Sequence, residues 1–373
     1  MRDRSLRRRI VLASGAGLVL GAVLARADGP PAAPVAPAPP LVPSSPAPPA
    51  PAPPSSATAP DPAPARDPLL LGEFALGERA VIDGDTLRLP AGALARSVRV
   101  ACVDAEEIWH EGEEADRAAA LTDFDAYARA KRGASRTPVK FGTPAGEAAA
   151  AFARAFFSGL ATMRLERDAP GRDFDGHGRL LAHVIVRREG KDVLFAEALV
   201  RAGLSPYFVK YGRSRRFDAA LVAAQREARA AGRGIWGKDP RHYADYDERL
   251  AWWETRAKQV DAWRVDREKP ENAATFVELG VAADSARLST LLGRTVTVFG
   301  SLDHVDAEGE PRRILLVDQP HRPFPLVVFD GRVWSGIDLA PIEASFVRVT
   351  GTLSEYRGRV QMKIEHPEAI STR

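Results

Sequence analysis

The stretch Arg99-Val-Ala-Cys-Val-Asp104-Ala-Glu-Glu107 decides the fold of the first half of this chain, because it joins an apolar strand pattern to a group of acids. The run from Ser97 to Val103 predicts a β-strand. Arg99 and Asp104 are five residues apart, so on one regular strand their side chains would face opposite sides of the sheet. If both residues serve one site, a bulge or a strand end must lie between them.

Two short apolar runs precede this strand, Arg79–Ile82 and Asp85–Leu89, and they flank Asp83-Gly84. Asp-Gly between apolar runs is typical of a β-hairpin, because a tight turn there requires positive φ. Together with the strand at 97–103, these runs predict a three-stranded antiparallel meander.

Downstream of Glu107 the chain alternates between helical and strand patterns as far as Ala231. The spacing of apolar residues predicts helices and further strands. The helices are expected over 146–160, 195–202 and 213–231, with helical spacing also over 116–129, and the strands over 163–167 and 180–186. This mixture predicts a small β-barrel with packed helices, in the α+β class, as a domain over 69–240.

The net charge of the chain does not indicate a nucleic-acid partner. The formal charge is +3, but residues 1–27 hold six Arg and one Asp, and the remainder holds 46 basic and 48 acidic residues. Acids dominate from Asp104 to Asp125, and bases dominate from Arg201 to Lys238. Such runs are usually solvated faces. The alternative is a cation-attracting end beside a phosphate-attracting end.

Residues 1–68 carry two patterns that do not belong to a packed domain. Three Arg at 7–9 precede an uncharged stretch over 10–25, and Ala25-Arg-Ala27 follows, which together fit an export signal over 1–27. An uncleaved N-terminal membrane anchor through 10–25 is the alternative. Residues 28–68 are rich in Pro, Ala and Ser and predict a disordered, extended linker. We expect an exported protein in the cell envelope, the periplasm or the medium, either free or tethered to the membrane.

The C-terminal half of the chain predicts a helical connector over 241–285 and a second domain over 286–373. The spacing of Trp252, Trp253 and Trp263 predicts that these side chains pack as core against one neighbour. Strand patterns follow over 295–302, 313–317, 325–329, 346–353 and 360–364. Five short strands with Gly-rich turns fit a small barrel.

The run from Val347 to Met362 resembles OB-fold nucleic-acid-binding domains, and the resemblance covers about residues 288–370. It implies an OB-like β-barrel that binds single strands through aromatic and cationic side chains on one face. Tyr356, Arg357 and Arg359 are the candidate contacts. A structural or protein-binding barrel is the alternative.

Four segments of the first domain resemble the staphylococcal nuclease (thermonuclease-like) family in their order and spacing. They are Ile82-Asp-Gly-Asp-Thr86, Arg99–Glu107, Asp175-Gly-His-Gly-Arg179 and Glu197–Leu204, and the resemblance covers about residues 76–237. It implies an OB-like nuclease barrel with helices, followed here by a helical linker and the second barrel.

The resemblance implies a calcium site and a group that handles the attacking water. Asp85 and Asp104 match the carboxylates that bind Ca²⁺ in the family, and Ala105 lies where a backbone carbonyl reaches the metal. Glu107 matches the glutamate that orients or deprotonates water, and Asp83 matches an acid behind the metal ligands. Calcium prefers oxygen ligands, so clustered carboxylates suit it.

The resemblance also implies the groups that hold the nucleic acid. Arg99 and Arg179 match two arginines that hold the scissile phosphate, and paired guanidinium groups suit that task because each can bind phosphate through two hydrogen bonds. His177 lies where the family often has an aromatic residue that contacts the nucleotide. Tyr207 and Tyr211 could stack on bases or could pack inside the domain.

Two departures from the family pattern stand close to the site. Glu106 replaces the usual Pro and adds a third acid, which could alter the metal preference or the pKa values. The segment after Glu107 is longer than the usual active-site loop and could be a lid, a specificity element or an obstruction.

The sequence therefore predicts an exported calcium-dependent nuclease. It would hydrolyse phosphodiester bonds of DNA and/or RNA by metal-assisted attack of water, with the OB-like domain aiding nucleic-acid binding. The alternative is a non-catalytic nucleic-acid- or protein-binding scaffold on a nuclease-like barrel. Every charged position of the family site is retained, which favours the enzyme.

Overall fold

A mixed sheet of six strands forms the first part of the fold. The computed structural model describes residues 67–373 except 136, 172, 176, 320, 321 and 373, so the predicted signal or anchor and nearly all of the linker lie outside the described residues. The strands are β1 (Leu70–Ala75), β2 (Thr86–Arg88), β3 (Ser97–Val100), β4 (Thr162–Glu166), β5 (Leu180–Arg188) and β6 (Lys191–Leu194). Their order is β1-β4-β5-β3-β2, with β6 paired to β5. β3 and β5 run parallel, and the other pairs are antiparallel.

Among the described residues, five α-helices belong to this part of the chain, and a connecting helix follows them. They are α1 (Glu114–Thr122), α2 (Phe124–Arg132), α3 (Pro144–Phe157), α4 (Phe195–Arg201), α5 (Asp218–Ala230) and the connecting helix α6 (Tyr246–Arg267). α3 begins where the Thr143 side chain accepts a hydrogen bond from the Gly146 N–H, and Pro144 occupies its first turn. α4 ends before Gly203, whose φ of +71° suits glycine. Apolar side chains from the sheet, α3, α4 and α5 form one continuous core.

The structure confirms most of the predicted elements in this half and shifts three of them. The first strand of the predicted meander is reduced to a single bridge between Val81 and Leu87. The helical spacing over 116–129 belongs to two helices, because Asp123 caps α2 and interrupts the run. α5 begins at Asp218 rather than 213. The edge strands β1 and β6 were not expected.

The C-terminal part is a closed five-stranded barrel, as predicted. The strands are β7 (Phe276–Glu278), β8 (Thr295–Asp306), β9 (Arg312–Gln319), β10 (Arg322–Val328), β11 (Phe346–Tyr356), β12 (Arg359–Lys363) and β13 (Ile370–Ser371), with short helices α7 (Ala282–Arg287), α8 (Gly331–Gly336) and α9 (Leu339–Ala344). The barrel order is β8-β9-β10-β12-β11, and β11 pairs back to β8. β7 and β13 extend the sheet beside this closure.

The connecting helix α6 packs its tryptophans into two different cores. Trp253 is buried in the core of the first domain. Trp263 is fully buried between Phe276 and Phe299, with ring centroids 4.9 and 4.8 Å away. The predicted core role is confirmed, and the expectation of one shared neighbour is wrong because the helix spans both domains. Within the described part of the chain, no helix has the length and apolar character needed to cross a membrane.

Asp168 ties the sheet to the loop that precedes α5. Its Oδ1 accepts a hydrogen bond from the Ser214 hydroxyl and lies 2.9 Å from Nε2 of the buried His183 on β5. Its Oδ2 accepts from the Arg215 N–H at 2.9 Å. These contacts hold 214–215 in a loop and explain the later start of α5.

Substituting Asp168→Asn should destabilise the fold by roughly 1–3 kcal/mol at neutral pH, because an amide cannot accept all three hydrogen bonds. Burial opposes ionisation of Asp168, but His183, Ser214 and Arg215 outweigh it and lower its pKa from 3.8 to about 2. The stabilisation is therefore full above pH 3.8 and is lost as the pH falls through about 2. Urea unfolding of both proteins at pH 7 and at lower pH should show this difference shrinking; a constant difference would contradict the assignment.

Candidate active site

Arg99 is the centre of a buried ionic cluster. It lies on β3, opposite Thr86 of β2 and Leu181 of β5. Its Nη1 is 2.5 Å from Asp85 Oδ2, and its Nη2 is 2.5 Å from Asp104 Oδ1. The side chains of all three residues are at most 10% exposed. One guanidinium thus joins two acids that stand 19 positions apart in the chain.

A strand end separates Arg99 from Asp104, as the sequence requires. β3 ends at Val100, and Cys102 adopts φ of +67°, a left-handed conformation that turns the chain. The Asp104 N–H then donates to Ser205 Oγ at 2.8 Å. Cys102 is half-buried and has no disulfide partner. The turn brings Asp104 to the same side of the sheet as Arg99.

Asp85 is held by one hydrogen bond to its side chain and one from its backbone. The Ala105 N–H donates to Asp85 Oδ2 at 2.7 Å, and the Asp85 N–H donates to Asp83 Oδ1 at 2.9 Å. Gly84 has no positive φ, so the expected reason for this glycine was wrong. A Cβ at residue 84 would lie 2.7 Å from the Cβ atoms of Ala105 and Ala149. Glycine is needed here for close approach, because it lets the Asp85 segment pack beneath Ala105.

Glu107 stands at the solvent side of the cluster and meets an additional cation. Its side chain is 34% exposed, and its Oε1 lies 3.1 Å from Lys140 Nζ. The same Nζ is 2.8 Å from Asp104 Oδ1. Lys140 was not among the residues expected from the sequence. A lone Lys between Val139 and Phe141 carries no motif, and only the fold brings it to the acids.

Opposing effects set the pKa values in this cluster. Burial raises the pKa of Asp85 to about 7, although Arg99 favours the ionised form. Burial also opposes ionisation of Asp104, but Lys140 and Arg99 outweigh it and lower the pKa of Asp104 below its usual value. Lys140 shows the reciprocal effect: partial desolvation lowers its pKa, but Asp104 and Glu107 outweigh this and raise it.

Glu106 does not act as a third acid of this cluster. It is 2% exposed, and it accepts hydrogen bonds from the Thr143 hydroxyl, the Tyr243 N–H and the Tyr246 hydroxyl at 2.5, 2.8 and 2.7 Å. Burial raises its pKa, against the effect of these hydrogen bonds. Glu106 therefore anchors the turn that presents Glu107, and the expected effect on the metal site has no structural basis.

Arg179 is held by hydrogen bonds within its own loop. Its Nε donates to Asp175 Oδ2 at 2.7 Å, and its N–H donates to Asp175 Oδ1. It directly precedes β5, where Leu181 lies opposite Arg99. Because side chains alternate along strands, Arg179 is expected on the same face as Arg99. His177 is exposed in the same loop.

The two tyrosines expected near the nucleotide differ in accessibility. Tyr207 is 3% exposed; its hydroxyl donates to Asp218 and accepts from the Ser214 N–H, each at 2.8 Å. Tyr207 packs inside the domain, which is the second of the two alternatives that the sequence left open for it. Tyr211 is 50% exposed and remains accessible.

The long segment after Glu107 folds against the connecting helix. α1 and α2 enclose a small core of Ala120, Phe124 and Tyr127. Arg132 of α2 pairs with Asp245 at 2.6 Å and with Glu248 of α6 at 3.0 Å. The segment is thus a fixed structural element, and its last residues lead back to the site at Lys140.

The chemistry of the cluster fits a hard divalent cation. Asp85 and Asp104 would supply carboxylate oxygens, and Ala105 would supply its carbonyl. In the described residues, no group of three or more His, Cys, Asp or Glu side chains is gathered as a metal site. Backbone and water oxygens would therefore complete the coordination shell, which Ca²⁺ accepts.

Comparison with known proteins agrees with this geometry. The model of the family described as staphylococcal nuclease homologue matches residues 97–238. Residues 97–238 form a staphylococcal nuclease family domain. No match was found among curated proteins. The matched region of the nuclease domain contains Arg99, Asp104, Glu107 and Arg179, and the structure adds Asp85 from the segment before it.

Substituting Glu106→Ala should cost roughly 2–4 kcal/mol of stability, because it leaves a cavity and three unmatched polar groups. Glu106→Gln should stay within about 1 kcal/mol of the wild type, since its carbonyl can accept from Tyr243 and Tyr246 and its amide can donate to Thr143. Urea unfolding of both variants measures this. Equal losses of stability in Glu106→Ala and Glu106→Gln would contradict this and would show that the negative charge of the Glu106 carboxylate is required.

Proposed function

We propose that this protein is an exported, calcium-dependent nuclease that hydrolyses phosphodiester bonds of DNA and/or RNA. The observation that carries the proposal is the buried Arg99 held between Asp85 and Asp104, with the accessible Glu107 beside them. Membership of residues 97–238 in a nuclease family supports the reaction class.

The arrangement divides the chemistry among its residues. When bound by Asp85, Asp104 and the Ala105 carbonyl, Ca²⁺ would offset negative charge on the phosphoryl oxygens. The family resemblance assigns the scissile phosphate to Arg99, whose Nη1 lies 2.5 Å from Asp85 Oδ2 and has no hydrogen-bond partner in the structure. Arg179 would hold the phosphate from the neighbouring strand, and Glu107 would accept the proton of the attacking water.

The C-terminal barrel would aid nucleic-acid binding. OB-folds bind oligonucleotides through their loops and the face between them. Tyr356 is 55% exposed at the end of β11, and the Arg357 guanidinium lies 5.2 Å from its ring centroid. Arg357 and Gly358 adopt positive φ and form a tight hairpin turn that presents Tyr356, Arg357 and Arg359 together.

The place of action follows from the N-terminal sequence. The export signal or anchor over 1–27 and the Pro-rich linker over 28–68 would carry the enzyme to the cell envelope or beyond it. This is a proposal from the sequence pattern of those residues.

The full chain should cleave single-stranded DNA with CaCl₂ and should stop when EGTA is added. The double variant Arg99→Ala with Glu107→Ala should lose roughly 10²-fold or more in rate, because it removes a phosphate contact and the base. Arg154→Ala, an exposed arginine on α3, is the matched control and should keep full activity. Gel analysis of an end-labelled oligonucleotide reads this out. If the wild-type protein cleaves no more DNA than the double variant does, the result would favour the non-catalytic scaffold.

Replacing Tyr356, Arg357 and Arg359 together by Ala should weaken binding of a fluorescein-labelled single strand by roughly tenfold or more, because a stacking ring and two cations are lost. Anisotropy with EGTA present measures binding without cleavage. Arg332→Ala on α8 is the control for the loss of an exposed arginine. Unchanged affinity of the triple variant would assign the barrel a structural or protein-binding role.

A further inference from the structure

Lys140 occupies the carboxylates that the proposed function assigns to the metal and to water activation. Its Nζ lies 2.8 Å from Asp104 Oδ1 and 3.1 Å from Glu107 Oε1. Its side chain is 43% exposed, whereas that of Arg99, the other cation of the cluster, is 10% exposed. Arg99 is enclosed by the sheet, and Lys140 reaches the acids from the solvent side.

The backbone on both sides of Lys140 is held by the C-terminal connector. The buried Arg249 of α6 donates to the Val139 carbonyl. The Tyr243 hydroxyl accepts from the Phe141 N–H at 3.0 Å and donates to the Phe141 carbonyl at 2.9 Å. The Arg249 guanidinium also lies 4.2 Å from the Tyr243 ring centroid. Lys140 therefore starts from a fixed position, and its side chain alone is free to move.

The charges of the cluster define what this position does. Asp85, Asp104 and Glu107 are the acids of the cluster, and Arg99 and Lys140 are its two cations. Calcium affinity in protein sites depends on the charge of the ligand set. An ammonium bonded to two of the three acids lowers the affinity for any further cation.

Resting on the proposed function, we propose that Lys140 is an intramolecular competitor of the metal, which sets the calcium threshold of the site. Calcium binds when its concentration suffices to displace the ammonium from Asp104 and Glu107. Because the Lys140 side chain is 43% exposed, its ammonium can move into solvent, and the two ion pairs that it gives up set the calcium concentration that is required. The long segment after Glu107 is then a regulatory element that makes the enzyme respond only to high calcium.

The test is calorimetric titration of the full chain with CaCl₂, without nucleic acid, for the wild type and three variants. Lys140→Met should bind Ca²⁺ roughly tenfold or more tightly than the wild type, because the competing charge is gone. Lys140→Arg should bind with nearly wild-type affinity because it keeps the charge. Lys191→Met is the control, because it removes an exposed lysine of β6. Lys191 lies opposite Arg188 of β5, and Arg188 is seven residues along that strand from Leu181, the residue opposite Arg99. Lys191→Met should leave the affinity unchanged.

Equal or weaker calcium binding by Lys140→Met would overturn the inference, as would equal tightening in Lys191→Met. Absence of calcium binding in every protein up to about 20 mM, well above the ~1 mM of weak extracellular sites, would overturn it as well. Cleavage assays on the same samples separate the two proposals. Tighter binding by Lys140→Met without cleavage by any protein would support the competitor and refute the nuclease. Cleavage of DNA together with equal calcium affinities of the wild type and Lys140→Met would support the nuclease and refute the competitor.

Discussion

The contact of one guanidinium with two carboxylates is the constraint on which the site depends. Burying Asp85, Arg99 and Asp104 together is costly unless each charge is paired and hydrogen-bonded. Groups from several segments hold the three residues: the Ala105 N–H donates to Asp85, the Ser205 hydroxyl accepts from the Asp104 N–H, and the strand register places Arg99 on β3 between β2 and β5. The Nη1 of Arg99 has its ion pair with Asp85 and no hydrogen bond. The positions of these three charged residues therefore depend on the packing of β2, β3 and β5.

The site extends beyond the matched family domain. The match ends at residue 238, but Tyr243 and Tyr246 hold Glu106, and Arg249 holds the Val139 carbonyl. The connector thus fixes Glu107 by holding Glu106, and it fixes Lys140 by holding the Val139 carbonyl. The same helix packs Trp263 between aromatic rings of the barrel domain. The nuclease domain, connector and barrel are consequently parts of one folded unit.

The sequence predicted what depends on local pattern and spaced motifs. The five barrel strands follow from alternation, and the grouping of Asp85, Arg99 and Asp104 followed from a resemblance that the geometry supports. Lys140 and Glu106 could not be interpreted in this way. Lys140 belongs to no motif and lies 33 and 36 residues from Glu107 and Asp104, and the partners of Glu106 lie 37 to 140 residues away. Gly84 illustrates a third limit, since the residue was noticed but the reason is contact with Ala149 rather than a turn.

The most direct test of the central claim is the fate of the attacking water. The full chain is incubated with single-stranded DNA and CaCl₂ in ¹⁸O-labelled water, and the products are weighed by mass spectrometry. Metal-assisted hydrolysis predicts one ¹⁸O atom in the new terminal phosphate for each bond cleaved, and no product when EGTA is present. Intact DNA, or cleavage that continues in EGTA, would contradict the account.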